Sequence, residues 1–435
     1  MKNSSDTIKH SKWIYINGFG EKDRSKVAEQ DLLTCISFDQ TGDFLSVGDK
    51  GGRIIVFKKV NPKSNKKNVD YTYYTEFQSH ETEFDELKSK DIEEKINRIE
   101  WINRYYRGIF MLATNDKKIK LWKLHSKEEK KLTNLNSDGN TKVGNILKIP
   151  KVKKGSKTVT AQHKRTFQHA HEFQINSLSL CSDNEHFLSA DDLRINIWNL
   201  GITNEVYSVV DFPVENPDEP SEVITSANFS PVNPNLIQFS TSKGGLKLCD
   251  LRIGSKFDNT AISFNAVDAN QKKNFFSEII NSISQSTFSK NGDFLITRDY
   301  ITTKIFDIRK TNSPIISIKL CQYLEKHLCD LYESENIFDK FELASSPDSN
   351  FIISGTYSDS FHIVDKNGFG INTIPANFEQ AKNCVVGNLY LDQEKKNALG
   401  KPDTSKKIIS VAWHPSASIV AVTNYNCIFI YNSSP

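Results

Sequence analysis

Hydrophobic and polar positions alternate along this chain in short runs, and the runs recur in a fixed order. Each copy begins with a β-alternating run, then a polar turn often carrying Gly-Asp or Asn, then a second apolar run. A further polar turn leads into a strand that ends in an aromatic or aliphatic residue. Seven copies follow one another, three of which are ISFDQTGDFLSVGDKGGRIIVFKK from Ile36, IEWINRYYRGIFMLATNDKKIKLWKL from Ile99 and LSLCSDNEHFLSADDLRINIWNL from Leu178. The other four are ANFSPVNPNLIQFSTSKGGLKLCDL from Ala227, STFSKNGDFLITRDYITTKIFDI from Ser286, FELASSPDSNFIISGTYSDSFHIVD from Phe341 and VAWHPSASIVAVTNYNCIFIYN from Val411. Period-two alternation between turn residues is the pattern of half-buried strands.

The closing positions Phe57, Trp122, Trp198, Leu248, Phe306, Ile363 and Phe429 lie 50 to 76 residues apart. A compact repeat of this kind needs roughly 40–45 residues, so insertions separate the copies. Seven blades of short strands predict an all-β fold, a seven-bladed WD-repeat β-propeller over residues 13–431, which leaves only short protected edges. The last copy shows only three strands, and WIYINGF (Trp13–Phe19) precedes the first copy without a partner. That strand is expected to complete the seventh blade and close the ring.

Among the insertions, residues 81–95 set apolar Phe84, Leu87 and Ile92 among seven acids and three lysines, which predicts a charged helix. A second helix is expected over 320–335 from the spacing of Leu320, Leu324, Leu328 and Leu331. Residues 126–165, with short alternating pieces, predict a basic hairpin arm inserted after the second blade. The lysine-rich stretch 366–407 reads as an irregular loop.

Charge sharpens this picture. The chain carries +3 overall, yet residues 123–165 hold twelve Lys/Arg against three Asp/Glu, so one segment is basic and the remainder acidic. No 18-residue apolar run exists to span a membrane, and the first residues lack a secretory h-region. Seven dispersed cysteines without CxxC spacing argue for reduced thiols in the cytosol or nucleus and against a disulfide framework or zinc site, so neither cofactor nor metal is expected.

The candidate chemistry is mostly structural. His171, Ser189, Asp191 and Trp198 stand in the order of the hydrogen-bonded network found inside a WD blade, and His80, Thr114, Asp116 and Trp122 read the same way. Recurrence in two blades is hard to reconcile with a catalytic triad. The GDKGGR turn (Gly48–Arg53) lacks the order and helix of a P-loop. The lysine run from Lys148 to Arg165 lacks the stacking aromatics of a nucleic-acid surface, so no nucleic-acid partner is expected. CDLR (Cys249–Arg252) and FDIR (Phe306–Arg309) resemble the WDxR motif of cullin–RING ubiquitin-ligase substrate receptors, an alternative in which Arg252 and Arg309 would bind an adaptor. No nucleophile elbow, H-E-x-x-H or kinase signature points to an enzyme.

Several stretches go beyond a generic propeller. FQSHETEFDELKSKDIEEKIN, TNDKKIKLWK, LSADDLRINIWNL, SEVITSANFSP, FFSEIINSIS, TRDYITTKIFDIRK, CDLYESENIFDKFE and VAWHP resemble the 55-kDa B-type regulatory subunit family of protein phosphatase 2A, in order from about Trp13 to Tyr431. The resemblance implies a non-enzymatic subunit that binds a HEAT-repeat scaffold and the catalytic subunit, in cytosol and nucleus. It implies that the arm grips the scaffold, with Lys127, Lys130, Lys131, Lys151, Lys153 and Lys154 as contacts. It also implies an acidic groove on the top face that captures phosphoprotein substrates with basic segments. The matching positions are Glu29, Lys50, Glu93, Glu94, Lys95, Phe173, Asp192, Asp218, Glu335, Phe338 and Lys340.

Overall fold

A computed structural model describes residues 12–60, 70–86, 89–103, 108–133, 151–212, 222–253, 261–265, 275–311, 313–368, 370–381 and 403–434. Its strands form seven antiparallel four-stranded sheets, plus one two-stranded hairpin. The first strand of each sheet touches the first strands of the two neighbouring sheets, so these seven inner strands ring a central axis. This is the seven-bladed β-propeller. Apolar side chains pack mostly between blades: Ile353, Phe361, Ile363, Val420 and Val422, for example, join the sixth and seventh.

The strand Lys12–Phe19 lies at the outer edge of the last sheet, against Cys427–Ser434. Trp13 is buried there and meets Trp413 edge-on at 5.7 Å.

The arm is built from the third and fourth strands of the second blade, Ile119–Thr133 and Lys151–Phe167. They stay paired from Ile119↔Phe167 out to Thr133↔Lys151, well past the body of the blade. The arm therefore stands within the second blade rather than after it. Fifteen- and seventeen-residue strands cannot fit a blade whose neighbouring strand Ile109–Thr114 has six residues, so the excess projects.

Three other expectations need correction. The described residues of 81–95 form no helix: Glu83–Asp85 and Lys90–Ile92 pair as a hairpin, with Ser89 in the left-handed region (φ 46°). Tertiary bonds override the helical spacing, because Glu83 pairs with Lys118 and Thr82 donates to Glu94 at 2.8 Å across the neck. The second helix is split at His327 into a 3-10 turn, Gln322–Lys326, and an α-helix, Leu328–Glu333. Residues 366–407 are not irregular throughout, since Ile371–Pro375 is the outer strand of the sixth blade and Phe378–Ala381 is helical. An additional helix, Phe275–Asn281, follows from the i, i+3, i+4 spacing of Phe276, Ile279 and Ile280.

The intrablade network forms in the third blade. The His171 ring bonds Asp191 (3.0 Å) through Nδ1 and Ser189 (2.6 Å) through Nε2, and Trp198 Nε1 donates to Ser189 Oγ at 2.8 Å. All four are buried, which removes any catalytic reading. In the second blade the expected register is off by one. Asn115, not Asp116, accepts from the turn N–H groups of Lys117 and Lys118, as Asp191 does from Leu193 and Arg194. Strand pairing then sets Ala113 where the third blade has Ser189. The ring nitrogens of His80 and Trp122 consequently have no hydrogen-bond partner, and burial pushes the His80 pKa down to about 3. Ala113→Ser is expected to supply the missing hydroxyl and raise stability by about 1 kcal/mol. Urea unfolding would show a higher midpoint at unchanged slope.

Candidate functional site

The top face of the propeller carries the turns between second and third strands and the connections between blades. The acidic hairpin sits on it, tied to the first-blade turn by Ser79 and His80 N–H bonds to the Gly52 carbonyl (2.8 and 3.2 Å). In a strand–turn–strand unit the residue after the turn acceptor faces this surface, and in the first three blades it is Lys50, Asp116 and Asp192.

Four expected residues meet in one cavity of about 390 Å3, lined by Glu29, Lys50, Glu93 and Glu94 with Ala28 and Gln30. Lys50 Nζ donates to Glu29 at 2.9 Å, and its hydrogen bond and charge hold the Glu29 carboxyl below its usual range. Glu93 is exposed, so this corner offers a carboxylate to attract a cation.

Two others line a second cavity of about 640 Å3, where Phe338 and Lys340 face Lys243, Glu278, Ile283 and Tyr300. Phe338 is 56% exposed and sits 6.2 Å from the Tyr332 ring, which also packs on Phe275 and Phe276. Its short 3-10 turn starts at Glu335, itself exposed and left-handed (φ 59°). Tyr300 and Tyr357 anchor the turn through the Asn336 carbonyl (3.3 and 2.8 Å).

Asp192 lines neither cavity but interacts with Lys340 of the second. Burial pushes its carboxyl up, and Lys340 and the Asn176 side chain pull it partly back. Lys340 is driven down by burial and by the charges of Arg98 and Lys95, against the pull of Asp192. Solvent reaches Lys340, although protein groups crowd it. Arg98 is occupied by an ion pair with Glu342 and by donation to the Asn176 carbonyl (3.1 Å). The site is thus a mosaic in which carboxylates and cations alternate.

Phe173 is 40% exposed on the connection into the third blade, next to Glu172, whose carboxylate accepts from Arg194 at 3.0 Å. Asp218 lies outside the described residues. The structure adds Asp116, which accepts from Asn97 at 2.9 Å, and the Arg98–Glu342 pair. An acid at the second position of the turn with a basic residue two places on, in NDKK as in DDLR, is the sequence signal for Asp116.

On the arm, Lys127, Lys130, Lys151 and Lys153 are exposed. Lys130 faces Lys154 and Lys131 faces Lys153 across the strands, while Glu128 and Lys157 pair at 3.6 Å nearer the blade.

Fold and surface define a WD-repeat propeller with charged cavities on its top face and a basic arm. A model of the WD domain, G-beta repeat, matches residues 161–199, from the end of the second blade's last strand through the third strand of the third blade. Over 97% of both chains, the protein is 40% identical to the B regulatory subunit of protein phosphatase PP2A from Schizosaccharomyces pombe. It is 37% identical to the serine/threonine-protein phosphatase 2A regulatory subunit phr2AB of Dictyostelium discoideum, over 96% of this chain and 98% of that one. The B beta isoform of the serine/threonine-protein phosphatase 2A 55 kDa regulatory subunit from Carassius auratus is 38% identical, over 96% and 97%. The chain belongs to the family of B-type regulatory subunits of protein phosphatase 2A, and is a regulatory subunit rather than an enzyme.

Proposed function

We propose that this subunit joins a scaffold and a phosphatase catalytic subunit and presents substrates to them, in cytoplasm and nucleus. The arm binds the HEAT-repeat scaffold through Lys127, Lys130, Lys131, Lys151, Lys153 and Lys154. The top face binds a Lys/Arg-rich segment flanking a phosphoserine or phosphothreonine, through Glu93, Glu94 and Asp192. Glu29, Lys50, Lys95, Phe173, Asp218, Glu335, Phe338 and Lys340 shape the groove around them. Tethering raises the effective concentration of the phosphoresidue at the partner's active site, where hydrolysis occurs.

The observation that carries this reading is the gathering of Glu29, Lys50, Glu93 and Glu94 in one cavity of the top face. Family membership supports the phosphatase context. Against the ubiquitin-adaptor alternative stand the family membership and the folding of Arg252 back onto Asp250 (2.6 Å). Purification of the tagged full chain from its own cells is expected to recover scaffold and phosphatase subunits with phosphopeptide phosphatase activity. Recovery of a ligase adaptor without that activity would sink the proposal.

A further inference from the structure

Apolar side chains close most of the contact between neighbouring blades. The interface between blades five and six is different in its upper half. In the strand Phe294–Arg298, Phe294 and Ile296 pack with Leu343 and Ile352 of the sixth blade, so Arg298, two residues on, faces the same way. Thr303 shares that face with Ile305 and stands directly opposite Arg298 in the ladder. From the sixth blade, Val364 packs against Tyr300, Ile301 and Ile318, which turns His362 toward Arg298 and Thr303.

These three side chains are buried and incompletely bonded. Arg298 and Thr303 have no exposure and His362 has 5%. Arg298 Nη2 reaches the Tyr300 carbonyl at 3.4 Å and Cys321 Sγ at 3.3 Å, but its Nε and Nη1 have no partner. The Phe341 ring lies 5.8 Å from the guanidinium and offsets part of its charge without accepting from those N–H groups. Thr303 Oγ1 and His362 Nε2 have no partner either, although His362 Nδ1 is bonded to Thr373 Oγ1 at 2.9 Å. Burial and the Arg298 charge push the His362 pKa down to about 3, so this ring is neutral.

Among the described residues no carboxylate answers the guanidinium. The nearby acids are committed elsewhere: Asp299 to Lys304 (3.3 Å), Asp339 to Lys407 (2.6 Å), Glu342 to Arg98 and Asp359 to Arg24 (2.7 Å). A buried unpaired charge with unmade hydrogen bonds is strongly unfavourable. Neutral water could meet the donors but would leave the charge. We infer that the interface of blades five and six holds one small monovalent anion, chloride in the cell, bound by Arg298 and Thr303 beside His362. Such an ion staples the two blades beneath Tyr300 and Tyr357, which anchor the Asn336 turn of the top face. The inference is independent of which substrate or partner the subunit takes.

The test uses the full chain and bromide as probe. Crystals soaked in sodium bromide are expected to show an anomalous peak at the bromine edge within hydrogen-bond reach of Arg298 Nη1 and Thr303 Oγ1. In solution, the unfolding midpoint should climb with the logarithm of chloride when gluconate holds ionic strength constant. Thr303→Val keeps the side-chain shape and is expected to weaken chloride affinity about tenfold, as loss of a charge-assisted hydrogen bond does. Arg298→Met should abolish the dependence, and if it fails to fold the Thr303→Val result decides. Absence of the peak, a midpoint indifferent to chloride, or a chloride effect unchanged in Thr303→Val would each overturn the inference. So would a bromide peak at soaking concentration with no chloride effect in solution.

Discussion

Replacing Asp192 with lysine is expected to weaken capture of a phosphopeptide with flanking basic residues at least tenfold, about 1.4 kcal/mol. Recovery of scaffold and catalytic subunits with the variant should be unchanged. The size follows from position. Asp192 is half-buried and offsets the charge of Lys340, and the backbone there is fixed by Ile224 N–H donation to its carbonyl at 2.7 Å. Removing the carboxylate leaves Lys340 with less compensation, and a lysine adds a further cation where the substrate brings more. The arm proposed to bind the scaffold springs from the outer strands of the second blade, so on that proposal assembly has no stake in this charge. Asp192→Asn separates charge from shape and should lose part of the affinity. The wild-type carboxyl is pushed up by burial, so it takes a proton at higher pH than an exposed aspartate. Capture should therefore fade earlier on acidification than exposed carboxylates alone would allow, and Asp192→Asn should lose that component. Binding titrations by fluorescence anisotropy across pH, beside pull-down of the scaffold, read both. Retained capture with lost assembly would mean that the two surfaces have been exchanged.

The repeat was legible because the second strand of a blade, buried on both faces, reads as a short apolar run such as FLSVGD, while half-buried strands beside it, such as RIIVFKKV, read as alternation. The hairpin at 81–95 was not, because its form depends on Lys118, some thirty residues on, and on Thr82 meeting Glu94. Its apolar positions at 84, 87 and 92 satisfy a helical spacing without deciding between the two. The network of the second blade misled for a related reason: Thr114-Asn115-Asp116 offers two turn acceptors in succession, and only the strand pairing of Ala113 with Lys120 selects Asn115. Glu29, Lys50, Glu93 and Glu94 are up to 65 residues apart, and their meeting was implied by family resemblance rather than by any local pattern. Arg298 shows the other limit. Its sequence context, an arginine ending a strand, gives no sign that it is buried without a carboxylate.

Deleting residues 1–20 is expected to leave a chain that no longer folds cooperatively, because the strand Lys12–Phe19 closes the ring. That strand bonds along Cys427–Ser434, so its loss opens the last blade to a three-stranded sheet with a bare edge. It also empties two interfaces at once. Trp13 fills the space between the sixth and seventh blades with Trp413, while Phe19 meets Phe57 of the first blade at 4.5 Å. Trp13→Ala tests the packing without the strand loss. A tryptophan truncated inside a core costs about 3–5 kcal/mol, and Tyr15 and Tyr431 nearby cannot refill a volume fixed by seven-fold closure. The bare edge adds a second expected result, aggregation of the truncated chain at micromolar concentration, because unpaired edge strands recruit others. Circular dichroism melts and light scattering on both variants check this. If the truncated chain melts as sharply as the whole one and only the terminal strand frays, the ring is closed by the inner strands alone and the two termini are dispensable.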